Sequence, residues 1–364
     1  MKLFRFLLYI SLLSIIGCGD GPGQRADFDE TIGSAAAGDT QLSVRDGLAL
    51  VEVMEAGRLD LWLSAPTQEI TFTTGPFAVP DWDLTLRNAP ADSVLSIVTG
   101  DATAVEVTTG LPTEKHWRLR LPPDAVTTVH IAPPDAWLAG PVRIAMLSDI
   151  QEAMSQVQDM FARINDDPSI RFVLSAGDIT DNGSTEEYDR FRRELRGLHV
   201  PFYATCGNHD VSIGDMIWHR QLGRHSFHFN FKGAAFTLAD SADATIDPKV
   251  YRWLDAWLDD AQDRWHLFIT HLPPVDPNGV RNGSFSSRRE AAKLISALAR
   301  GAVDLAVFGH IHTHVAYTLG GIECHISGGG GGWPMRWDGL ARHFLTMDID
   351  PVAQDHDVKV VEIP

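Results

Sequence analysis

Residues 172–183 read FVLSAGDITDNG, an apolar run of β-type residues that ends in a polar cluster. Four further runs end in the same way, in SDIQ at 148–151, GNHD at 207–210, ITHLPP at 269–274 and GHIHTH at 309–314. Short apolar runs of this kind predict strands that are buried on both faces of a mostly parallel sheet. Because ligands of open α/β sheets bind outside the carboxyl ends of the strands, we expect these five clusters to meet at one edge.

The clusters contain side chains that divalent cations accept as ligands. Carboxylate, amide oxygen and imidazole suit hard and borderline cations. Taken singly, an aspartate at a strand end is more often a turn residue or a helix cap, and a lone histidine is more often structural. The ordered set instead favours a metal centre that is assembled by folding. The candidate ligands are Asp149, Gln151, Asp178, Asn208, His271, His310 and His312.

Helical patterns separate the predicted strands. Residues 154–164 carry apolar side chains at helical spacing, and Ser184 with Glu187 forms a capping box ahead of a second apolar stripe. Asp247 and Pro248 fit the cap and first position of a third helix, and a fourth is predicted over about 287–300. Strands that alternate with helices predict an α/β domain over residues 141–364.

From about residue 141 to residue 350 the sequence resembles the calcineurin-type metallophosphoesterases, and most of all their cyclic-nucleotide-phosphodiesterase-like branch. The family motifs run Asp-x-His, Gly-Asp-x-x-Asp, Gly-Asn-His-Asp/Glu, a lone His and Gly-His-x-His, and they occur here in that order with one substitution. Any one of these motifs is weak evidence, but five in register are strong. The resemblance implies a two-layered β-sheet core flanked by helices, in a four-layer α/β/β/α sandwich.

The resemblance also implies roles for individual residues. Asp178 would bridge two divalent metal ions, which could be Mn, Fe, Zn or Mg. Asp149 and His312 would hold the first ion, and Asn208, His271 and His310 the second. His209 would assist the leaving oxygen, and Asp210 would orient His209. The implied reaction is hydrolysis of a phosphomonoester or phosphodiester by a metal-activated hydroxide.

Gln151 departs from the family pattern, which has a histidine at this position. Its amide oxygen can ligate a metal but is neutral and a poorer donor than imidazole. We therefore predict a weak or labile first metal site. One alternative is a lipoprotein that binds metal and a phosphorylated ligand with little or no catalysis, and another is that the β-rich region is the working part. His209 and Asp210 favour the enzyme, since a pure binder has little use for a proton donor.

The first residues suggest export. Lys2 and Arg5 precede an apolar stretch, 6–16, that is shorter than the roughly 20 residues a membrane-spanning helix needs, so residues 1–17 are predicted to be a signal peptide. The sequence IIGC at 15–18 resembles the lipobox of bacterial lipoproteins, which implies a lipid on Cys18 and a membrane-anchored protein of the cell envelope facing the periplasm or exterior. Residues 18–40 then read as a flexible tether. The alternative is an ordinary cleaved signal.

Residues 41–140 have a different pattern. Apolar residues alternate with polar ones at 59–63, 82–86 and 117–121, separated by turns rich in Pro, Gly, Asn and Asp. Period-two patterning at such intervals predicts an antiparallel β-sandwich. This domain could be a spacer, a packing partner or a substrate-positioning module.

The balance of 30 Lys and Arg against 48 Asp and Glu, a formal net charge of −18, disfavours nucleic acid as a partner but allows a small phosphoester substrate. Cys206 and Cys324 could form a bridge in an oxidising compartment, although buried free thiols are expected. Residues 328–332 are all glycine and read as a compliant loop or as backbone amides for a phosphate, with the loop favoured. The sequence leaves the oligomeric state open.

Overall fold

The computed structural model describes residues 20–108, 110–279, 283–333 and 339–363. Within them, a β-rich amino-terminal region precedes a mixed α/β region. The β-rich strands form two five-stranded sheets, ordered β1-β2-β5-β10-β7 and β3-β4-β6-β9-β8. Their bounds are β1 Ser34–Ala37, β2 Thr40–Val44, β3 Ala49–Glu55, β4 Arg58–Leu63, β5 Gln68–Thr74, β6 Asp81–Arg87, β7 Val94–Thr99, β8 Thr103–Val107, β9 Glu114–Arg120 and β10 Ala125–Ala132.

Both sheets of the β-rich region pack on one apolar core. Alternate residues of β5 and β6 are buried, so Ile70 and Phe72 from one sheet join Leu84 and Leu86 from the other. This arrangement agrees with the predicted sandwich. The prediction that its strands are all antiparallel is wrong, because β4 and β6 run parallel. Strand β5 lies between them in the sequence but belongs to the other sheet. The chain therefore makes the long crossover connection that a parallel pair requires.

The mixed region contains two further sheets and most of the helices. One sheet has the order β13-β12-β11-β20-β21, and the other β14-β15-β16-β17-β19-β18. The strands of the first sheet are β11 Val142–Met146, β12 Ile170–Ser175, β13 Phe202–Ala204, β20 Arg342–Asp350 and β21 Asp355–Ile363. Those of the second are β14 Phe227–Phe231, β15 Ala234–Ala239, β16 Trp265–Thr270, β17 Leu305–Phe308, β18 His314–Leu319 and β19 Ile322–Ser327. The helices are α1 Pro22–Asp29, α2 Val157–Asn165, α3 Thr185–Glu194, α4 Ile217–Gln221, α5 Pro248–Asp260 and α6 Arg288–Arg300.

Successive residues of the central strands serve different layers. In β12, Phe172 and Leu174 face the core between the two sheets, whereas Val173 packs with α2 and α3. In β16, Leu267 faces the inner core and Phe268 packs with α5 and α6. Because side chains alternate across a strand, strands buried on both faces need apolar residues at every position. The result is the predicted α/β/β/α order of layers.

Two helix starts confirm the predicted caps. Ser184 Oγ accepts a hydrogen bond from the backbone N–H of Glu187, and the Glu187 carboxylate accepts from the backbone N–H of Ser184. At α5, Asp247 accepts from the backbone N–H of Lys249, and Pro248 takes the first helical position. These caps fix where α3 and α5 leave the edge of the sheets that carries the polar clusters.

The amino-terminal segment differs from the flexible tether predicted over residues 18–40. Helix α1 packs on the α/β region, where the buried Arg25 donates from Nε to Asp240 Oδ2 at 2.7 Å. Asp29, at the end of α1, is buried and accepts the backbone N–H groups of His225 and Ser226. Local periodicity does not reveal these contacts, because their partners lie about 200 residues away in the chain.

The predicted signal peptide, residues 1–17, and Cys18 lie outside the described residues. Among the helices that the structure describes, none is long and apolar enough to cross a membrane. Cys206 and Cys324 are buried free thiols rather than a disulfide pair.

Candidate active site

The five polar clusters lie at the carboxyl ends of β11, β12, β13, β16 and β17, as the sequence predicts. Three of these strands belong to one sheet and two to the other. The two sheets pack face to face, and their edges bring residues 149, 178, 208, 271, 310 and 312 into one group of mutual contacts.

Asp178 lies at the centre of one half of this group. His271 Nε2 is 3.2 Å from Asp178 Oδ2 and 3.2 Å from Asn208 Oδ1. Ligand atoms of Asp178, His271 and His310 lie within 4.8 Å of one another. Separations of this size are suited to ligands that share one small cation.

The orientation of His271 favours a cation at this place. Its Nδ1 donates to the carbonyl oxygen of Ala176 at 2.9 Å, which directs Nε2 at the carboxylate and amide oxygens. If the imidazole were neutral, the lone pair of its Nε2 would face two oxygen atoms that are themselves hydrogen-bond acceptors. A metal-bound histidine commonly has this arrangement, with its second nitrogen donating to a carbonyl.

Asp149 and His312 form the other half. His312 Nδ1 donates to the carbonyl oxygen of Trp333 at 2.9 Å, and His312 Nε2 is 3.4 Å from Asp149 Oδ1. The Asp149 carboxylate also accepts from Ser148 Oγ at 2.7 Å and from the backbone N–H of His310 at 3.0 Å. Residue 310 therefore joins the two halves, since its side chain belongs to the first and its backbone N–H contacts the second.

Gln151 is buried between the halves, but its amide contacts Asp178. Nε2 of Gln151 donates to Asp178 Oδ2 at 2.8 Å, and its backbone N–H donates to the carbonyl oxygen of Asp178 at 3.2 Å. In this arrangement the side chain restrains Asp178, the residue expected to bridge the ions. Its assignment as a metal ligand stays a prediction.

The backbone of the site adopts costly conformations. Asp149, Gln151, Asp178 and His310 have φ between 44° and 66°, a region that non-glycine residues rarely occupy. Such outliers often mark functional sites, because the surrounding structure must hold them in place. A Cβ atom at Gly207 would lie 2.1 Å from Asp178 Oδ1, so only glycine allows the loops after β12 and β13 to approach this closely.

The electrostatics also fit a divalent cation. Burial favours a raised pKa for both Asp149 and Asp178, yet their histidine neighbours bring the pKa of each carboxyl below its ordinary value. Burial disfavours the charged form of His271, but Asp178 and Asp149 raise its pKa to about 9. In the described part of the chain, the ion pairs of these two carboxylates involve histidines and no lysine or arginine. Positive charge from bound metal would compensate the buried carboxylates.

His209 stands beside this group and is partly open to solvent. Its backbone N–H donates to Asp178 Oδ1 at 2.9 Å, and its Nδ1 donates to the carbonyl oxygen of Asp181 at 2.7 Å. The side chain of His209 is 33 % exposed, whereas those of Asp178 and His271 are almost fully buried. His209 is thus accessible to a substrate from the solvent.

Asp210 does not orient His209, which corrects the role inferred from the sequence. Its buried carboxylate accepts from the backbone N–H groups of Ile179, Thr180 and Gly207 and from Thr180 Oγ1. Burial, together with the negative charge of Asp178, raises the pKa of Asp210 to about 6. Asp210 therefore joins the loops after β12 and β13. The backbone carbonyl that does hold His209, at Asp181, has no side-chain signature in the sequence.

The glycine run 328–332 serves as a packing loop. The backbone N–H groups of Gly330 and Gly332 donate to the carbonyl oxygens of Ser148 and Asp149, and that of Gly328 donates to Thr313. Three of its five amides are thus used within the protein, which supports the loop interpretation over a phosphate cradle.

A second buried cluster has metal-like composition. Asp29, His219 and His225 bring three potential ligand atoms together, with His219 Nε2 3.0 Å from Asp29 Oδ1 and 2.9 Å from His225 Nδ1. The other ring nitrogens, His219 Nδ1 and His225 Nε2, have no hydrogen-bond partner among the described residues. His271 and His312 both have such a partner. The cluster is better explained as a hydrogen-bond network that fastens α1 to α4.

Comparison with known proteins adds an independent observation. Residues 142–314, which carry all five polar clusters, match the family model described as calcineurin-like phosphoesterase. The chain contains a calcineurin-like metallophosphoesterase domain. The prediction of this family from the motif residues is confirmed.

Curated relatives of the metallophosphoesterase domain include two phosphodiesterases. A 3',5'-cyclic-nucleotide phosphodiesterase of Nostoc is 26 % identical over 193 residues, covering 47 % of this chain and 72 % of the relative. A probable glycerophosphodiester phosphodiesterase of Arcobacter nitrofigilis is 30 % identical over 119 residues, covering 30 % of this chain and 44 % of the relative. The chain spans less than half the length of this second relative.

A solved structure shares the fold. The purple acid phosphatase PPD1 from yellow lupin aligns with a TM-score of 0.53 and 13 % sequence identity, covering 82 % of this chain and 70 % of that chain. Together, the family match and the curated relatives indicate a metal-dependent hydrolase that acts on phosphoester bonds. The family uses divalent metal ions, and the donor set around Asp178 fits them.

Proposed function

We propose that the metallophosphoesterase domain hydrolyses a small phosphodiester at a centre for two divalent metal ions. The observation that carries this proposal is that Asp178 lies with Asn208, His271 and His310 in one group, which the backbone N–H of residue 310 joins to Asp149 and its neighbour His312. The names of the Nostoc and Arcobacter relatives favour a diester over a monoester. The net charge of −18 disfavours large polyanionic substrates.

In this proposal, Asp178 would help to hold both ions, and the other ligands of each ion would be those assigned from the sequence. When bound, the ions supply a hydroxide near neutral pH and offset the negative charge of the phosphoryl group. The protein contributes a rigid, buried set of oxygens and nitrogens whose orientation is fixed by Ala176, Trp333 and Ser148. Such preorganisation lowers the cost of placing charge in the transition state.

His209 is proposed to protonate the leaving oxygen. The Asp181 carbonyl accepts from Nδ1, so the proton to be transferred would be carried by Nε2, on the other side of the ring. An alkoxide needs this proton because it is a poor leaving group, whereas p-nitrophenolate leaves without much help.

We expect His209→Gln to lower kcat for an alkyl phosphodiester such as glycerophosphoethanolamine by about 100-fold to 10,000-fold. The same variant should lose far less activity on bis(p-nitrophenyl) phosphate, because that substrate needs little acid catalysis. His199→Gln, at an exposed histidine beyond α3, is the matched control. Equal losses on both substrates would argue against a proton-donating role and for a role in binding.

We propose that Gln151 makes the first metal site labile, because its amide hydrogen-bonds Asp178 and is a weaker ligand than imidazole. Gln151→His should raise the Mn²⁺ retained after dialysis from about one ion to about two per chain. Metal analysis together with calorimetric titration measures this directly. Two ions already retained by the wild-type protein would contradict the proposal.

We further propose that Cys18 carries a lipid that anchors the protein in the cell envelope. Supporting this are the basic residues Lys2 and Arg5, the apolar stretch 6–16 and the lipobox-like IIGC. Metabolic labelling with an alkyne palmitate analogue should mark the protein when it is expressed from its full sequence. The label should be absent from Cys18→Ala. Labelling that persists in this variant would place the lipid elsewhere.

A further inference from the structure

We propose that a cavity between the β-rich region and the metallophosphoesterase domain binds a neutral carbohydrate. The cavity has a volume of about 680 Å³, and none of its lining residues belongs to the group around Asp178. Its walls come from β5, β10, β14, α5 and the linker between β10 and β11. Ligand sites commonly form where two domains meet. This proposal does not depend on the proposed hydrolysis.

Aromatic side chains stand on both walls. Trp137, in the linker, is 61 % exposed, and its ring centroid is 5.9 Å from that of His130. On the opposite wall, Trp257 stacks on His228 with an angle of 13° between the rings. Exposure of the apolar face of an indole ring to water is unfavourable. The C–H face of a pyranose ring is chemically suited to pack on it.

Planar polar groups line the same cavity. Glu69 accepts hydrogen bonds from Arg45 at 3.1 Å and from His130 at 3.0 Å. Asp260 accepts from the Asn230 amide at 3.0 Å. The carboxylates are thereby held in fixed orientations with further lone pairs for other donors, as recognition of paired hydroxyl groups requires.

The charges select a neutral ligand. Arg45 lines the cavity and is within 4 Å of both Asp46 and Glu69, so its charge offsets theirs and weakens the attraction for a cationic ligand. The acidic residues Asp46, Glu69 and Asp260 outnumber it, which disfavours an anion such as the phosphoester substrate. A ligand that both donates and accepts hydrogen bonds without a charge of its own satisfies both conditions.

Saturation-transfer NMR on the whole protein tests the inference. The probes are glucose, galactose, N-acetylglucosamine and the β-1,4-linked trimers of glucose and N-acetylglucosamine, with choline and lysine as cationic comparisons. We expect at least one trimer to receive saturation and to lose at least tenfold in affinity with Trp137→Ala. Phe77→Ala, at an aromatic residue that is 87 % exposed outside the cavity, should bind like the wild type. Asp260→Asn should also weaken binding, and the thermal midpoint of each variant confirms folding.

Three results would overturn the inference. The first is that none of the sugar probes receives saturation. The second is that the wild type and Trp137→Ala bind the sugars equally well. The third is that only choline or lysine binds in a way that requires Trp137, which would make this a cation site. An Asp178→Asn protein separates this test from the proposed hydrolysis, since it should bind the sugar normally.

Discussion

Asp178→Asn is expected to lower the turnover of bis(p-nitrophenyl) phosphate by about 1,000-fold or more, because this one substitution removes the carboxylate that would hold both metal ions in the proposed centre. The variant also loses the anionic partner of His271, which is 3.2 Å away. Metal analysis should show loss of bound Mn²⁺ in parallel with activity, since a neutral amide is a weak bridging ligand.

Asp255→Asn is the control for this experiment, because Asp255 is an exposed carboxylate on α5. It changes the net charge by the same amount and should leave both turnover and metal content unchanged. If Asp178→Asn retained turnover within tenfold of the wild type at full metal content, the assignment of the centre to these residues would fail.

Arg25→Met should destabilise the protein by about 3 to 5 kcal/mol, since it leaves the Asp240 carboxylate buried without its cation. Arg25 contacts Asp240 and Asp243, and these contacts keep the pKa of the guanidinium above its ordinary value despite the opposing effect of burial. Cys206 Sγ also contacts Asp240, at 3.3 Å, directly before the GNHD cluster. Urea unfolding at pH 7 measures the loss.

Lys249→Met tests whether any lysine or arginine contact with α1 would have the same effect. Lys249 contacts Asp27 and Glu30 at the surface, where solvent screens the interaction, so its removal should change stability little. The double variant Arg25→Met with Asp240→Leu should recover part of the loss, because no buried carboxylate is then left unpaired. A loss no larger than that of Lys249→Met would mean that α1 contributes little to the fold.

The strand ends, and the positions of the candidate metal ligands just after them, could be predicted because both depend on local patterns. An apolar strand followed by a polar cluster is visible at 172–183 without any knowledge of tertiary structure, and so is the capping box at Ser184. The common edge then follows from the rule for the carboxyl ends of parallel strands. These features depend on residue type and order, which the sequence contains in full.

Features that depend on distant backbone atoms could not be predicted in this way. Asp210 appears next to His209 in the sequence, yet its carboxylate turns towards the loop after β12. The contacts of α1 with the α/β region involve buried charges, which a search for apolar periodicity passes over. Whether β4 and β6 run parallel depends on which sheet receives β5, and alternation alone carries no information about that.

The segment ahead of α1 is held against the α/β region. The backbone N–H of Met216 donates to the Asp20 carboxylate at 2.5 Å, in the segment that follows the GNHD cluster. Asp20 is the second residue after Cys18, a reach of at most about 7 Å. If Cys18 carries the proposed lipid, the catalytic domain would stand directly on the headgroups with one side turned to the bilayer, and would sample substrates only within that thin layer.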